Sequence, residues 1–209
     1  MDDVFEHIVY SKDVVEFVTV ANQFCLFVEQ SSTQSADEFV DKAVKILPLL
    51  YLKGTMLPKV DREFEDSLER IVTEEDYMAI RDFIEYLLGK SDVYLEVFHP
   101  EIKYSDAPVR VKISEDIADI YQDIKDFISL YQLGSTEIMN DALAEVVDNF
   151  REYWGQKLVN VLRALHNLNY SEERIESIEE EDDFYKRTDV SRSFVAKRQN
   201  EWRNEEEDF

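Results

Sequence analysis

The sequence predicts an all-α protein, a bundle of six to seven helices. Apolar side chains recur every three or four residues through most of residues 10–168, the period of a helix with one buried face. Glycine and proline are scarce, four of each in 209 residues, too few for the many tight turns of a sandwich or barrel. Three of the four glycines, Gly54, Gly89 and Gly134, each follow an apolar-periodic run, where a residue free to take positive φ ends a helix. Hydrophobic residues make up 44% of the chain, enough for a real core and too many for a disordered acidic protein.

Ser11 opens a first helix over 12–30, with Val14, Val15, Phe17, Val18, Ala21, Cys25 and Val28 inward. Ser35 and Glu38 have the spacing of a capping box, in which each side chain takes up the other residue's backbone N–H. The helix they open carries Phe39, Val40, Ala43, Val44, Leu47 and Leu50; Pro48 is expected to kink it and Gly54 to stop it. Val60, Phe64, Leu68 and Ile71 predict a third helix. Thr73 caps a fourth, with Tyr77, Ile80, Ile84, Leu87 and Leu88 inward and Gly89 closing it.

Near 93–113 the period changes to two: Val93, Leu95 and Val97 alternate with Tyr94, Glu96 and Phe98, and Val109, Val111 and Ile113 with Arg110 and Lys112. With Pro100 and Pro108 between them, these residues form either a short β-hairpin or an extended loop across the bundle. Ser114 caps the next helix, which carries Ile117, Ile120, Tyr121, Ile124, Phe127, Ile128 and Tyr131 to Gly134. Ser135 or Thr136 then opens the longest element, running to about His166 with Met139, Leu143, Val146, Phe150, Trp154, Leu158, Leu162 and Leu165 inward. Gly155 in its middle implies a bend or a close helix crossing, and the bulk of Tyr153 and Trp154 beside it favours the crossing.

Residues 1–170 therefore read as one helical domain and 171–209 as a charged tail, partly disordered or a docking helix. Acidic runs at 179–183 and 205–208 flank a stretch, 184–203, in which Lys186, Arg187, Arg192, Lys197, Arg198 and Arg203 outweigh Asp189 and Glu201. Phe184, Tyr185, Phe194, Val195 and Trp202 lie in the same stretch. Basic and aromatic together, it suits docking on an acidic body, its own or a neighbour's. A protein partner, or self-association through 184–203, is the expected interaction.

The formal net charge is −24, which repels phosphate backbones and anionic membranes. Direct nucleic-acid binding is not expected, nor is a membrane partner, since no apolar run reaches the ~18 residues of a span and the acidic start lacks a signal peptide's positive charge. The lone Cys25 lies in an apolar run, excludes an internal disulfide and reads as a buried, unreactive thiol. A cytoplasmic protein is the expectation. There is no phosphate loop, nucleophile elbow, Glu-x-x-His pair or His-rich centre, and no cofactor is implied.

Two carboxylate ladders remain. Asp116, Asp119, Asp123 and Asp126 occupy one sector of their helix beside the Ile-rich stripe; Asp141, Glu145, Asp148 and Glu152 lie opposite the apolar stripe of theirs. Rows of carboxylates can hold a hard cation, but in so acidic a chain both read first as solvated faces, the second ladder more firmly.

Residues 114–125, Ser-Glu-Asp-Ile-Ala-Asp-Ile-Tyr-Gln-Asp-Ile-Lys, preceded by Pro108-Val109, and residues 153–166, Tyr-Trp-Gly-Gln-Lys-Leu-Val-Asn-Val-Leu-Arg-Ala-Leu-His, resemble the two motifs of a bacterial, uncharacterised domain-of-unknown-function family. The resemblance covers about residues 10–168. It implies an all-helical cytoplasmic domain with no established activity, and it marks Asp116, Asp119, Tyr121, Asp123, Trp154, Gly155, Arg163 and His166 as family-pattern positions. The family often carries His at the position of Lys157. If the two motif helices pair antiparallel across Gly134, Asp116 is expected near Arg163 and His166, as a buried structural network or a small polar pocket. The leading functional expectation is a non-catalytic interaction or regulatory module, with Asp116, Asp119, Tyr121, Asp123, Trp154, Arg163 and His166 as candidate binding residues and no catalytic or metal residue. Two alternatives stand beside it: a metal-dependent hydrolase of a phosphorylated small molecule using Asp116, Asp119 and Asp123, and an acidic nucleic-acid mimic.

Overall fold

A computed structural model describes residues 7–66, 68–96 and 109–171. Its elements are α1 (Lys12–Glu29), α2 (Ala36–Thr55), α3 (Glu74–Leu88), β1 (Val93–Glu96), β2 (Val109–Lys112), α4 (Ile113–Gln132), α5 (Thr136–Asn149) and α6 (Gly155–Tyr170), with a π-helical turn, Phe150–Trp154, joining the last two into one rod. The molecule is mostly helical. Helix α4 is central and packs against α1, α3, α5 and α6, while α2 lies on α1 and α6. Trp154, Phe17, Phe127 and Tyr131, in that order, form an aromatic chain through the middle, with successive ring centroids 6.4, 5.4 and 5.6 Å apart.

Caps follow the sequence where the chemistry is local. Ser35 with Glu38 and Thr73 with Asp76 are complete capping boxes. Gly89 and Gly134 take positive φ, 54° and 78°, and end α3 and α4. Ser114 is not the cap of α4: it lies inside the first turn, and the buried Asp92 accepts both its backbone N–H (2.8 Å) and its hydroxyl (2.7 Å). Of the two readings for the period-two stretch, the structure forms the hairpin. β1 and β2 pair antiparallel with Val93 opposite Lys112 and Glu96 opposite Val109; the connection 97–108 lies outside the described residues, as does 172–209 with its docking stretch.

Three further expectations are corrected. Residues 60–71 form no helix. They run as an irregular strap because two carboxylates take its backbone N–H groups: Asp141 accepts from Glu63 (2.7 Å) and Phe64 (2.9 Å), Asp126 from Ile71 (2.8 Å) and Val72 (2.7 Å). For the same reason Asp141 is buried, not solvated, at 2% exposure. Burial works against its charge, but the two amides outweigh burial and hold its carboxyl below the ordinary value. Gly54 does not stop α2; it sits in the last turn, where an added Cβ would lie 3.0 Å from the Trp154 ring and 3.2 Å from Phe150. At Gly155 the constraint lies within the rod itself. An added Cβ would meet the Phe150 carbonyl of its own rod at 2.3 Å, so the residue is required by the π-turn.

Candidate functional site

The first ladder is a set of anchors, each aspartate with its own partners. Asp116, 2% exposed, accepts from the Tyr94 hydroxyl of β1 and from the Lys157 ammonium of α6 at 2.9 Å. Burial raises its carboxyl above the usual range despite both donors. Asp119 accepts from Lys157 (2.7 Å), from the Tyr77 hydroxyl of α3 (2.9 Å) and from the Tyr153 hydroxyl (3.0 Å). Burial opposes the charge on Lys157, yet the Asp119 and Asp116 carboxylates win and push its pKa up. The ammonium is held between the two carboxylates. The hydroxyls of Tyr77 and Tyr94 are pushed up too, first by burial and then by the aspartates they face. The network ties hairpin, α3 and α6 to α4.

Asp123 stands apart. It accepts from the Asn149 amide at 3.0 Å, its Oδ2 is buried without a hydrogen bond, and it borders a cavity of about 20 Å³ with Arg70, Asp126 and Asn149. That is room for about one water. Asp116, Asp119 and Asp123 thus converge on no common point, and among the described residues no group of three or more His, Cys, Asp or Glu side chains could hold a metal ion.

Tyr121 donates to the fully buried Glu29 at 3.0 Å, beside Lys125 at 2.7 Å, inside the bundle. Trp154 is fully buried and its indole N–H donates to the Val146 carbonyl at 3.1 Å, stabilising the π-turn. The expected meeting of Asp116 with Arg163 and His166 does not occur. The rod folds back from Gly134 so that Lys157, two turns earlier than His166, comes opposite Asp116. Arg163 and His166 are exposed; the His166 ring lies 4.7 Å from that of Tyr170, and no ion pair joins Arg163 to another described residue.

Arg163 belongs instead to a groove of about 730 Å³ between β1 and α6. All four residues of β1 line it and none of β2. Side chains alternate across a strand, so a surface touching every residue of one strand runs along its edge, here the edge that pairs with no other strand among the described residues, not over one face. The opposite wall is one face of α6: Gln156, Val159, Asn160, Arg163, Ala164 and Asn167, spaced three or four apart. Val93, Leu95 and Val159 are 46%, 53% and 43% exposed there. Asn160 donates to Glu96 at 2.8 Å, and Tyr94, whose hydroxyl reaches Asp116, sets the depth of the strand. These bonds tie β1 to α6 and fix where the strand sits.

Of the candidate residues, the structure brings Asp116 and Asp119 together beneath the groove and puts Arg163 in its wall, while Tyr121 and Trp154 are core. Sequence reasoning missed Val93, Leu95, Gln156, Val159, Asn160 and Asn167. A signal was present: between Glu152 and Glu172 there is no acidic residue, a gap matched in this chain only between Asp41 and Asp61. Loss of charge marks the centre of many interaction surfaces.

A helical bundle that props a two-stranded hairpin beside its last helix, leaving an edge-lined groove, defines the class of protein. The family is explicit: the sequence profile of the domain of unknown function DUF5063 matches residues 8–171, and the chain belongs to that family. It is also similar to the crystal structure of protein BF1032 from Bacteroides fragilis, a structural-genomics target, at 48% identity over 80% of this chain and 98% of that one, with a TM-score of 0.71. No curated protein matches the chain significantly. No described helix is long and apolar enough to cross a membrane.

Proposed function

We propose that this domain is a non-catalytic interaction module that receives a polypeptide segment in the groove between β1 and α6. The observation that carries this reading is the pairing of an open strand edge, lined by all of Val93–Glu96, with a helix face of amide and apolar side chains. A strand edge offers backbone N–H and C=O groups at fixed spacing, and a peptide is the ligand that matches them. Gln156, Asn160 and Asn167 both donate and accept, as a peptide backbone does; Leu95 and Val159 supply apolar contact, and Arg163 a charge for one acidic group. The titratable side chains beneath the groove are locked in ion pairs and hydrogen bonds, which suits a scaffold better than a catalyst. The acid-poor walls favour this reading over an acidic mimic of nucleic acid. The single buried thiol of Cys25 fits a reducing, cytoplasmic setting.

Panning a random 12-residue peptide library on the full chain tests this. Binders are expected that lose at least tenfold in affinity on Leu95→Asp or Val159→Asp, a change of about 1.4 kcal/mol or more, while both variants keep the parent melting temperature. Enrichment no better than on the double variant, both in the full chain and when Val190→Asp and Phe194→Asp keep its own tail from competing, would overturn the proposal.

A further inference from the structure

We infer that the segment occupying the groove is this chain's own stretch 184–203, supplied in cis or by a second copy; this rests on the groove being a polypeptide site. Three observations converge. First, the described chain ends beside the groove: α6 stops at Tyr170, one turn beyond the lining residue Asn167. Residues 172–183, extended, span up to about 40 Å, whereas the groove wall from Gln156 to Asn167 is about 17 Å long. The tether reaches any part of the groove with length to spare, so a docked segment has a high effective concentration.

Second, the charges are complementary. The stretch 184–203 carries six basic side chains against Asp189 and Glu201, and the described body has almost twice as many acidic as basic ones. Attraction brings the segment back to the domain, whereas the acidic run 179–183 between them is repelled by the body as a whole.

Third, the side chains suit the walls. Residues 188–196, Thr-Asp-Val-Ser-Arg-Ser-Phe-Val-Ala, contain no Gly or Pro, include the strand-formers Thr188, Val190, Phe194 and Val195, and alternate Val190, Arg192 and Phe194 with Ser191, Ser193 and Val195. A strand of this pattern added to β1 sets Val190 and Phe194 on the face of Leu95 and the small hydroxyls on the opposite face, that of Glu96, beside the α6 amides, with Arg163 available to Asp189.

The test uses the full chain with the photo-crosslinking residue p-benzoylphenylalanine in place of Val159, a second variant with it in place of Leu95, and a control with it at the exposed Glu75 on α3. Each is irradiated as a mixture of ¹⁴N- and ¹⁵N-labelled protein and the adducts are mapped by mass spectrometry. The expected result is an adduct within 184–203, at least about tenfold more abundant from positions 159 and 95 than from 75, given that a tether alone raises encounter everywhere. Same-isotope adducts with no mixed ones assign docking in cis, and mixed adducts at about half of the total assign docking between copies. Equal yields from all three positions, or adducts elsewhere in the chain, overturn the inference while selected library peptides that bind the groove leave the module reading intact. Failure of both experiments removes both.

Discussion

Asp123→Asn is the sharpest test of the view that the α4 carboxylates are buried anchors. Asp123 holds one hydrogen bond, from Asn149 at 3.0 Å, and its Oδ2 is buried with none. Burial pushes its carboxyl up to about 6, against the partial relief of the Asn149 amide and the Arg70 guanidinium, from an ordinary carboxylate value near 4. A folded-state value above the unfolded one means that the folded protein holds the proton more tightly. The stability this group contributes is thus complete below about pH 4 and is lost as the pH rises through 6. Two pH units correspond to about 3 kcal/mol at neutral pH. Asparagine keeps the acceptor for Asn149 and removes the charge, so the variant should gain about 2–3 kcal/mol at pH 7.5, or about 5–10 °C in Tm for a chain of this size. At pH 4 the gain should vanish. Urea unfolding at pH 4, 5, 6 and 7.5 reads the difference directly. A variant no more stable than the parent at pH 7.5, or one with the same advantage at pH 4, would refute the reasoning.

Asp141→Ala leaves the Glu63 and Phe64 amides without their acceptor; a loss of about 3 kcal/mol is expected, with faster tryptic cleavage at Lys59 and Arg62 in the strap, followed by gel and mass spectrometry. Lys157→Met strips the cation from Asp116 and Asp119 and should cost about 3 kcal/mol in urea unfolding, much of it recovered when Asp116→Asn is added, because the penalty is an unpaired buried charge. Gly155→Ala should destabilise by about 3 kcal/mol or more, since its Cβ would collide with the Phe150 carbonyl; helix propensity alone predicts a gain of about 1 kcal/mol, so thermal unfolding distinguishes the two by sign.

What could be read from the residues was whatever is local. The helices α1 to α6 follow from spacing, and the capping box at Ser35, the cap at Thr73 and the positive-φ ends at Gly89 and Gly134 from residues within one turn. Val60, Phe64, Leu68 and Ile71 have helical spacing too, yet form no helix, because the amides of Glu63, Phe64, Ile71 and Val72 are claimed by Asp141 and Asp126, more than fifty positions along the chain. The candidate aspartates were visible as a row on one helix. Their roles were not, since Asp116 is defined by Tyr94 and Lys157, and Asp119 by Tyr77 and Tyr153. The groove exists only where β1 is set beside α6, joined by Asn160 and Glu96 across 64 positions. Backbone propensity and amphipathic period act over a few residues, so sequence alone determined which segments are helices and which faces are apolar. Where a carboxylate finds its donor, and which strand edge stays open, are settled by packing between distant segments, and that only the tertiary structure decided.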